Sequence, residues 1–313
     1  MSETARLMRV AERRDVADGV TRLELVAADG YPLPEWRPGA HIDLVGPAGL
    51  VRQYSLCGEP RSARWRVAVL RVPGGRGGSA WVHDDLVPGV AVEVKGPRNH
   101  FALEDAGDYL FIAGGIGITP IAPMVREVAR RGADWQLVYG GRSRASMAFV
   151  DELVDLDPQR VRIVPEDEEG RLDLDEALGP PVADRRVYCC GPEPLLAAVE
   201  DRLADRPERL HLERFAAAAP LDRSGDAFEI ELSSSGQRIA VAAGESIIDA
   251  LAGARLDVDF SCREGTCGTC ETRVLGGVPD HRDSVLTEVE REAGDCMMIC
   301  VSRCRRGPLL LDL

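Results

Sequence analysis

The feature that most constrains this chain is a group of cysteines near its carboxyl end. Six of the nine cysteines lie between Cys262 and Cys304. In a reducing compartment, clustered cysteines indicate metal or redox chemistry more often than disulfides. The segment SCREGTCGTC has the spacing C-x4-C-x2-C, which is the arrangement of plant-type [2Fe–2S] proteins. The cysteines therefore predict an iron–sulfur domain at this end of the chain.

A [2Fe–2S] cluster needs four thiolate ligands and backbone N–H donors around its sulfurs. Gly265 and Gly268 allow a loop tight enough to supply those donors. A zinc site is the alternative, but zinc modules usually carry two short Cys or His pairs, and only the triplet here has short spacing. From the residues alone the fourth ligand stays open, because the segment CMMICVSRC offers Cys296, Cys300 and Cys304.

The charge balance argues against two classes of partner. The chain has 52 acidic and 38 basic side chains and a net charge of −14, whereas nucleic acids and anionic membranes attract basic surfaces. No apolar run approaches the roughly eighteen residues that span a bilayer. The first residues, MSETARLMRVAERRDV, lack the apolar core of a signal peptide. We therefore expect a cytoplasmic protein with no nucleic-acid or membrane partner.

Two patterns of strands predict the organisation of the chain. The first hundred residues contain short strands such as TRLELVA, HIDLVG and WRVAVLRV, separated by Gly- and Pro-rich turns, which is typical of an antiparallel β-barrel. From Asp108 onward, apolar strands such as DYLFIA and RRVYCC alternate with helical segments. This alternation predicts an α/β domain with a parallel sheet covered on both faces.

The carboxyl-terminal part has a third pattern. The segment RFAAAAPLDRSGDA lacks periodicity and is predicted to be a linker. FEIEL and QRIAV around SSSG predict a hairpin, and GESIIDALAGA predicts a short helix with Ser246 or the preceding glycine near its start. The predicted fold is thus multidomain: a β-barrel at residues 1–106, an α/β domain with linker at 107–222 and an α+β domain at 223–313.

Two motifs of the barrel suit a flavin mononucleotide. In the segment RQYS, the guanidinium of Arg52 can pair with a phosphate and Tyr54 can pack beside the ring or the ribityl chain, whereas an edge-strand Arg and a core Tyr are the alternative. The second motif is GGRGGSAWVHDDL, which predicts a helix whose free N–H groups face a phosphate. That helix would open at Gly77, Gly78 and Ser79.

Two further motifs suit a nicotinamide dinucleotide. In the segment GGIGITP, glycines such as Gly115 allow a pyrophosphate to approach the helix start, with Thr119 predicted as N-cap and Pro120 as the first helical residue. The segment departs from the G-x-G-x-x-G fingerprint. YCCGP ends a later strand, and ligands of open α/β sheets bind at such carboxyl ends. Cys190 would stand there beside the nicotinamide, while Cys189 is predicted to be a small buried residue.

Together these segments resemble the phthalate dioxygenase reductase family, which includes the reductase components of vanillate demethylases. The resemblance covers nearly the whole chain in the order flavin barrel, nicotinamide domain and C-terminal β-grasp ferredoxin. The segments that carry it are RQYSL, GGSAWVHD, KGPRNHF, AGGIGITPI, YGGRSRASMAF, YCCGPEPLL, CREGTCGTCETRVLGG and ICVSR. One departure is Cys304, where a residue other than cysteine is more usual in the family.

The resemblance implies where each cofactor binds. It implies FMN, rather than FAD, at Arg52, Tyr54, Ser55, Gly78 and Ser79. It implies NADH around Gly115, Thr119, Cys190 and Pro192. It implies that Phe215 packs on the flavin ring, where the residue alone would suggest a core aromatic. It implies the cluster ligands Cys262, Cys267, Cys270 and Cys300. NADPH is the alternative to NADH, since Arg142 and Arg144 in YGGRSRASM can meet a 2′-phosphate, although Arg144 can also be a solvated surface residue.

The function implied is that of a reductase component that passes electrons from NADH through FMN and a [2Fe–2S] cluster to a partner oxygenase. A flavin is needed because nicotinamide gives two electrons together and the cluster accepts one. Hydride transfer is expected beside Cys190 and Ser55, without a general acid or base. The expected partner is a Rieske non-haem iron oxygenase. The alternatives are a cytochrome P450 partner, or a stand-alone NAD(P)H flavin or iron reductase.

Overall fold

A computed structural model describes residues 5–182, 184–217 and 222–313. The chain divides into two compact units, the first ending at Glu213 and the second beginning at Arg214. Residues 218–221, which belong to the predicted linker, lie outside the described residues. The predicted boundary between residues 106 and 107 would divide the first unit into two domains. The predicted domain boundaries stay a prediction. Within the described part of the chain, no helix is long and apolar enough to cross a membrane.

The first unit opens with an antiparallel sheet. Its elements are β1 (Arg6–Ala17), β2 (Val20–Ala27), β3 (His41–Val45), β4 (Val51–Ser55), β5 (Trp65–Leu70), α1 (Gly78–Asp85) and β6 (Ala91–Arg98). The strand order is β4-β3-β6-β1-β2-β5. A bridge between Leu56, which follows β4, and Val67 in β5 joins the two edge strands. The sheet therefore closes as the predicted barrel does, and alternate apolar residues such as Ile42 and Leu44 fill its core.

Strand β1 is an element that the sequence analysis missed. Half of its residues, RLMRVAERRDVA, are charged, and only Met8 and Val10 among them are buried. It nevertheless pairs with both β2 and β6 in the middle of the sheet. The alternation of apolar residues is too short here to indicate a strand from the sequence. Pairing with the two neighbouring strands determines the conformation instead.

The rest of the first unit is an α/β fold. Its elements are β7 (Asp108–Gly114), α2 (Ile118–Arg131), β8 (Asp134–Gly141), α3 (Val150–Val154), β9 (Val161–Pro165), α4 (Glu166–Glu169), α5 (Leu174–Leu178), β10 (Arg185–Cys190), α6 (Glu193–Arg202) and β11 (Leu210–Glu213). The order is β11-β10-β7-β8-β9, and every pairing is parallel. Phe111 packs with residues of α2 on one face, and Leu110 packs with residues of α6 on the other. The predicted parallel sheet with two covered faces is confirmed.

One apolar core joins the barrel to the parallel sheet. Val20, Cys57 and Ala68 of the barrel region belong to the same core as Phe111 and Tyr188 of the sheet. Burial of apolar surface at this shared core stabilises the two sheets as one body. This explains why the first compact unit contains both.

The start of α2 differs from the prediction. Thr119 is not the N-cap, and Pro120 is not the first helical residue, because the helix already begins at Ile118. The three residues Gly115–Gly117 form a 3-10 turn that leads directly into it. The Thr119 hydroxyl instead donates to the Ile116 carbonyl at 3.0 Å. A glycine-rich turn that is itself helical leaves no extended residue for a side-chain cap at Thr119.

The second unit contains a mixed sheet and two short helices. Its elements are β12 (Phe228–Leu232), β13 (Arg238–Val241), α7 (Ile247–Gly253), β14 (Glu271–Asp280), α8 (Glu288–Ala293), β15 (Cys296–Met298) and β16 (Arg303–Leu311). The strand order is β13-β12-β16-β14-β15. β12 and β13 form the predicted antiparallel hairpin. Ser246 caps α7 by accepting the Asp249 N–H at 3.1 Å, as the sequence predicted. The unit is therefore α+β.

Candidate functional site

Arg52 lies against the start of helix α1. Its Nη1 donates to the Val51 carbonyl at 2.7 Å and its Nη2 to the Arg76 carbonyl at 3.0 Å. A Cβ on Gly78 would come within 2.5 Å of the Arg52 Cγ, so only glycine lets the guanidinium stem cross the helix start. Gly77, the N-cap, has a left-handed φ of 83° and supplies no side-chain cap. Uncapped N–H groups and a guanidinium therefore lie together, which is an arrangement that suits an anion.

The electrostatics around Arg52 favour the same ligand. Burial, and then the neighbouring Arg76, lower the pKa of the Arg52 guanidinium. Two cations held close together gain stability when an anion binds between them. Tyr54, two residues along β4, packs against the barrel core, and burial raises the pKa of its phenol to about 12. The Ser79 hydroxyl accepts the Val72 N–H at 3.0 Å, which fixes the loop that precedes the helix.

The two nicotinamide motifs meet at the carboxyl ends of β7 and β10. These strands are neighbours, with Cys190 opposite Ala113. A Cβ on Gly117 would lie 2.2 Å from the Cys190 carbonyl oxygen, and one on Gly114 would lie 2.7 Å from Pro192. Glycine is therefore required for this close backbone approach. Gly115, with a φ of 54°, faces open space, so the loop presents its backbone to a ligand.

A carboxyl group joins the barrel to the nicotinamide motif. The Ser55 hydroxyl, at the end of β4, donates to Glu213 Oε2 at 3.4 Å. The Cys190 thiol, at the end of β10, lies 3.9 Å from the same oxygen. Glu213 is the last residue of β11, which pairs with β10. The structure thus brings Ser55 and Cys190 together, and Glu213 is the residue that links them.

The surroundings of Glu213 and Cys190 keep both side chains uncharged near neutral pH. Desolvation raises the pKa of Glu213 to about 8, although hydrogen bonds from Ser55 and Cys190 oppose the shift. Burial raises the pKa of Cys190 well above its ordinary value, and the nearby Glu213 adds to this. Cys190 is fully buried, so it acts here as a neutral thiol and not as a nucleophilic thiolate. Sequence reasoning missed Glu213, whose only signal was its place at the end of a strand.

Arg142 and Phe215 are both exposed. Arg142 is exposed just after β8, and its carbonyl accepts the Asp167 N–H at 3.2 Å. Asp167 belongs to α4, whose four residues are all acidic. Phe215 belongs to the second unit and is 46% exposed. It is therefore not the buried core aromatic that its residue type alone suggested.

The cysteine triplet lies on a tight loop before β14. The N–H groups of Glu264 and Thr266 donate to the Cys262 sulfur at 3.3 and 3.4 Å. Gly265 and Gly268 have left-handed φ values of 69° and 72°, which glycine adopts without strain. The loop thus directs backbone donors at the Cys262 sulfur, as the sequence predicted.

Cys300 joins the triplet from the segment after β15. Hydrogen bonds from the Cys267 and Cys300 thiols lower the pKa of Cys262. Cys300 also hydrogen-bonds Cys270, and these two contacts raise the pKa of Cys300. The four sulfurs of Cys262, Cys267, Cys270 and Cys300 are therefore neighbours. This all-thiol donor set with N–H donors around it fits a thiolate-bound iron–sulfur cluster.

Cys304 and Cys296, the other two candidates for the fourth ligand, have different surroundings. The Cys304 thiol donates to the Gly307 carbonyl at 2.6 Å. Cys296 lies on β15 opposite Arg273, and burial is the largest cause that raises its thiol pKa to about 11. Both side chains are partly exposed rather than fully buried.

Comparison with known families agrees with this division of the chain. The model of a 2Fe-2S iron-sulfur cluster binding domain matches residues 230–305. The model of an oxidoreductase NAD-binding domain matches residues 111–201. The first match includes all four neighbouring cysteines, and the second includes the two glycine-lined strand ends. The fold and the site therefore define an NAD-dependent iron–sulfur oxidoreductase.

The relatives identify the family. The phenoxybenzoate dioxygenase subunit beta of Ectopseudomonas oleovorans is 45% identical, over 95% of this chain and 94% of its own length. The solved structure of a phthalate dioxygenase reductase, described as modular for electron transfer from pyridine nucleotides to [2Fe–2S], is 36% identical over 98% of this chain and 97% of that one, with a TM-score of 0.70. The chain belongs to the phthalate dioxygenase reductase family.

A second solved structure is a fusion. An intact type IV self-sufficient cytochrome P450 monooxygenase is 44% identical over 99% of this chain, with a TM-score of 0.93. This chain spans only 41% of that one. The similarity therefore concerns one part of the larger protein.

Proposed function

We propose that the protein is the reductase component of an oxygenase system, which takes electrons from NADH through FMN and a [2Fe–2S] cluster to a Rieske non-haem iron oxygenase. The observation that carries the proposal is the meeting of Ser55 and Cys190 on Glu213. It joins the barrel, the side proposed for the flavin, to the end of β10, the side proposed for the nicotinamide, within 4 Å.

Each of these three residues has a proposed role. Cys190, a buried neutral thiol, packs against the nicotinamide and fixes its depth. Ser55 lines the flavin side of the site, and its hydroxyl is held by Glu213. Glu213 excludes water and holds a proton at its carboxyl at pH 7. Bound FMN supplies the conversion of a two-electron hydride into the single electrons that the cluster accepts.

The FMN phosphate is proposed to bind at the start of α1. Arg52 and the backbone N–H groups of Gly78 and Ser79 supply donors, and Gly77 leaves that end open. Tyr54 lines the ring or ribityl chain. Phe215 is proposed to pack on the ring, as the family resemblance implies.

NADH is proposed to bind over the glycine-lined ends of β7 and β10. Gly115, Thr119 and Pro192 would contact it, Thr119 through its backbone N–H because its hydroxyl is bonded to Ile116. Arg142 would lie near the adenosine end. The acidic helix α4 beside Arg142 disfavours a 2′-phosphate, which supports NADH over NADPH.

The four neighbouring cysteines are proposed as cluster ligands. We further propose that the protein works in the cytoplasm, and its nine free cysteines support a reducing compartment. The residues from 226 to 313 hold 16 acidic and 9 basic side chains, a balance that suits docking to a basic patch on the oxygenase.

The test is a visible spectrum of anaerobically purified protein before and after one equivalent of NADH. Overlapping flavin and iron–sulfur bands that bleach within seconds are expected. A spectrum without flavin would contradict the FMN site, and bleaching by NADPH alone would contradict the nucleotide assignment. Arg52→Ala should lose flavin and keep the iron–sulfur band.

A cytochrome P450 partner is the second candidate, which the similarity to the fused monooxygenase favours. The discriminating experiment supplies reduced protein to a Rieske oxygenase and to an isolated P450 domain, each with its own substrate. NADH-dependent product formation with the first acceptor alone supports the proposal. Product with the second alone would replace it.

A further inference from the structure

Three segments of the second unit meet at Gly265, in the middle of the cysteine loop. A Cβ placed on Gly265 would lie 2.7 Å from a Val301 methyl and 2.9 Å from the Asp283 Cα. The Ser284 N–H donates to the Gly265 carbonyl at 2.8 Å. Val301 directly follows Cys300, so the segment that contains Asp283 packs beside both the loop of the triplet and the segment of the fourth cysteine.

Asp283 is the buried charged group at this junction. Its side chain is 0% exposed. One carboxylate oxygen, Oδ2, accepts the N–H groups of Val285 at 3.1 Å and Leu286 at 2.8 Å. The other, Oδ1, lies 3.5 Å from the Ser302 hydroxyl, which itself accepts the Arg282 N–H at 3.2 Å. A carboxylate removed from water requires such partners.

Arg291 completes the arrangement. Its Nη2 donates to the Asp283 carbonyl at 2.6 Å and lies 3.8 Å from Asp283 Oδ2, and its Nε donates to the Leu286 carbonyl at 3.1 Å. The buried carboxylate therefore has a cation nearby, and the turn at residues 283–286 is fixed from both sides. Nothing in this arrangement concerns substrate or nucleotide.

We propose that Asp283 is a positioning residue for the iron–sulfur cluster, which holds the Cys300 segment against the cysteine loop through Ser302 on one side and Gly265 on the other. This inference rests on the proposed cluster ligands. The triplet is local in sequence, whereas Cys300 must be brought to it from a different segment. Asp283 supplies the polar contacts that keep this distant ligand in register, as residues behind metal ligands commonly do.

The experiment compares Asp283→Ala, Asp283→Asn and Ser302→Ala with the wild-type protein. Cluster loss in the presence of an iron chelator is followed by the iron–sulfur absorbance, and the reduced cluster is examined by electron paramagnetic resonance. We expect Asp283→Ala to lose its cluster about 10–100 times faster, by analogy with other residues behind metal ligands. Asp283→Asn keeps one acceptor oxygen, so its rate of cluster loss should lie between those of the wild-type protein and Asp283→Ala. Ser302→Ala should lose its cluster a few-fold faster than the wild-type protein and show a shifted resonance spectrum.

Asp295→Asn is the matched control, since it removes the same charge from an exposed position of the same unit. The proposal is overturned if all three variants lose the cluster no faster than this control and keep the wild-type spectrum. If Asp283→Ala does not fold, Ser302→Ala decides the question. A wild-type protein without a cluster would instead contradict the proposed function, so the two failures are distinguishable.

Discussion

At the scale of single residues, Glu213 decides the electrostatics of the proposed hydride site. A carboxyl at the end of a strand normally ionises near pH 4.5, but here desolvation raises its pKa to about 8. Its hydrogen-bond partners Ser55 and Cys190 are both neutral. The site therefore contains no formal charge at pH 7 among these three groups, which favours packing against an uncharged nicotinamide.

This shift predicts a pH dependence of flavin reduction. The Glu213 carboxyl ionises as the pH rises through about 8. Nicotinamide gains positive charge as it gives up a hydride, and a nearby carboxylate stabilises that charge. We expect the rate constant of flavin reduction by NADH to rise roughly tenfold, or about 1.4 kcal/mol, between pH 7 and pH 9. Stopped-flow absorbance under anaerobic conditions measures it.

The neutral variant Glu213→Gln should show a flat profile over the same range, because it cannot ionise. Glu208→Gln is the matched control, since Glu208 is an exposed glutamate, and it should keep the wild-type profile. An unchanged slope in Glu213→Gln would assign the ionisation to another group.

The choice among three nearby cysteines is a second prediction at this scale. Cys300 hydrogen-bonds Cys262 and Cys270, whereas the Cys304 thiol is bonded to the Gly307 carbonyl and Cys296 lies on β15. Cys300→Ser should therefore lose the iron–sulfur absorbance, and Cys304→Ser and Cys296→Ser should keep it. Iron and sulfide content per chain measures the outcome. Loss of iron in Cys304→Ser with retention in Cys300→Ser would reverse the assignment.

At the scale of elements, the start of α1 depends on Gly78 having no side chain. The Arg52 stem crosses Gly78, where a Cβ would approach within 2.5 Å. Gly78→Ala should push the guanidinium away from the helix N–H groups and raise the dissociation constant of FMN roughly tenfold or more. Fluorescence titration of flavin-depleted protein with FMN measures this.

Gly107→Ala is a suitable control for that change. No atom lies within 4 Å of where its Cβ would be, and its φ is not left-handed. Equal affinities of the two variants for FMN would mean that the phosphate binds away from α1. Loss of flavin from both would indicate a general loss of stability instead.

The way in which secondary-structure elements pair and join also limits what the sequence can predict. The cysteine triplet and the glycine-rich turns were predictable because each is a short pattern of adjacent residues that the sequence shows directly. Strand β1 was not, since pairing on both sides outweighs its polar composition. The cap at Thr119 was wrong because a preceding 3-10 turn already begins the helix. The roles proposed for Glu213 and Asp283 depend on contacts with residues far along the chain, which no local sequence pattern shows.

At the scale of the whole molecule, the proposed hydride site and the proposed cluster ligands lie in different compact units. The groups proposed to bind NADH and most of the flavin lie before Arg214, and the four cysteines lie after it. This division predicts that reduction of the flavin and transfer onward can be separated by mutation.

The separation is tested with Cys262→Ser, which removes a cluster ligand and leaves the first unit unchanged. NADH should bleach the flavin of this variant at a rate within about twofold of the wild-type rate, because no residue of the hydride site is altered. Reduction of a one-electron acceptor such as cytochrome c should fall at least about tenfold, since a fully reduced flavin lacks its single-electron outlet. Cys304→Ser should match the wild-type protein in both assays. If Cys262→Ser instead loses the iron–sulfur absorbance and keeps the full rate of acceptor reduction, electrons leave directly from the flavin, which would favour the stand-alone flavin reductase.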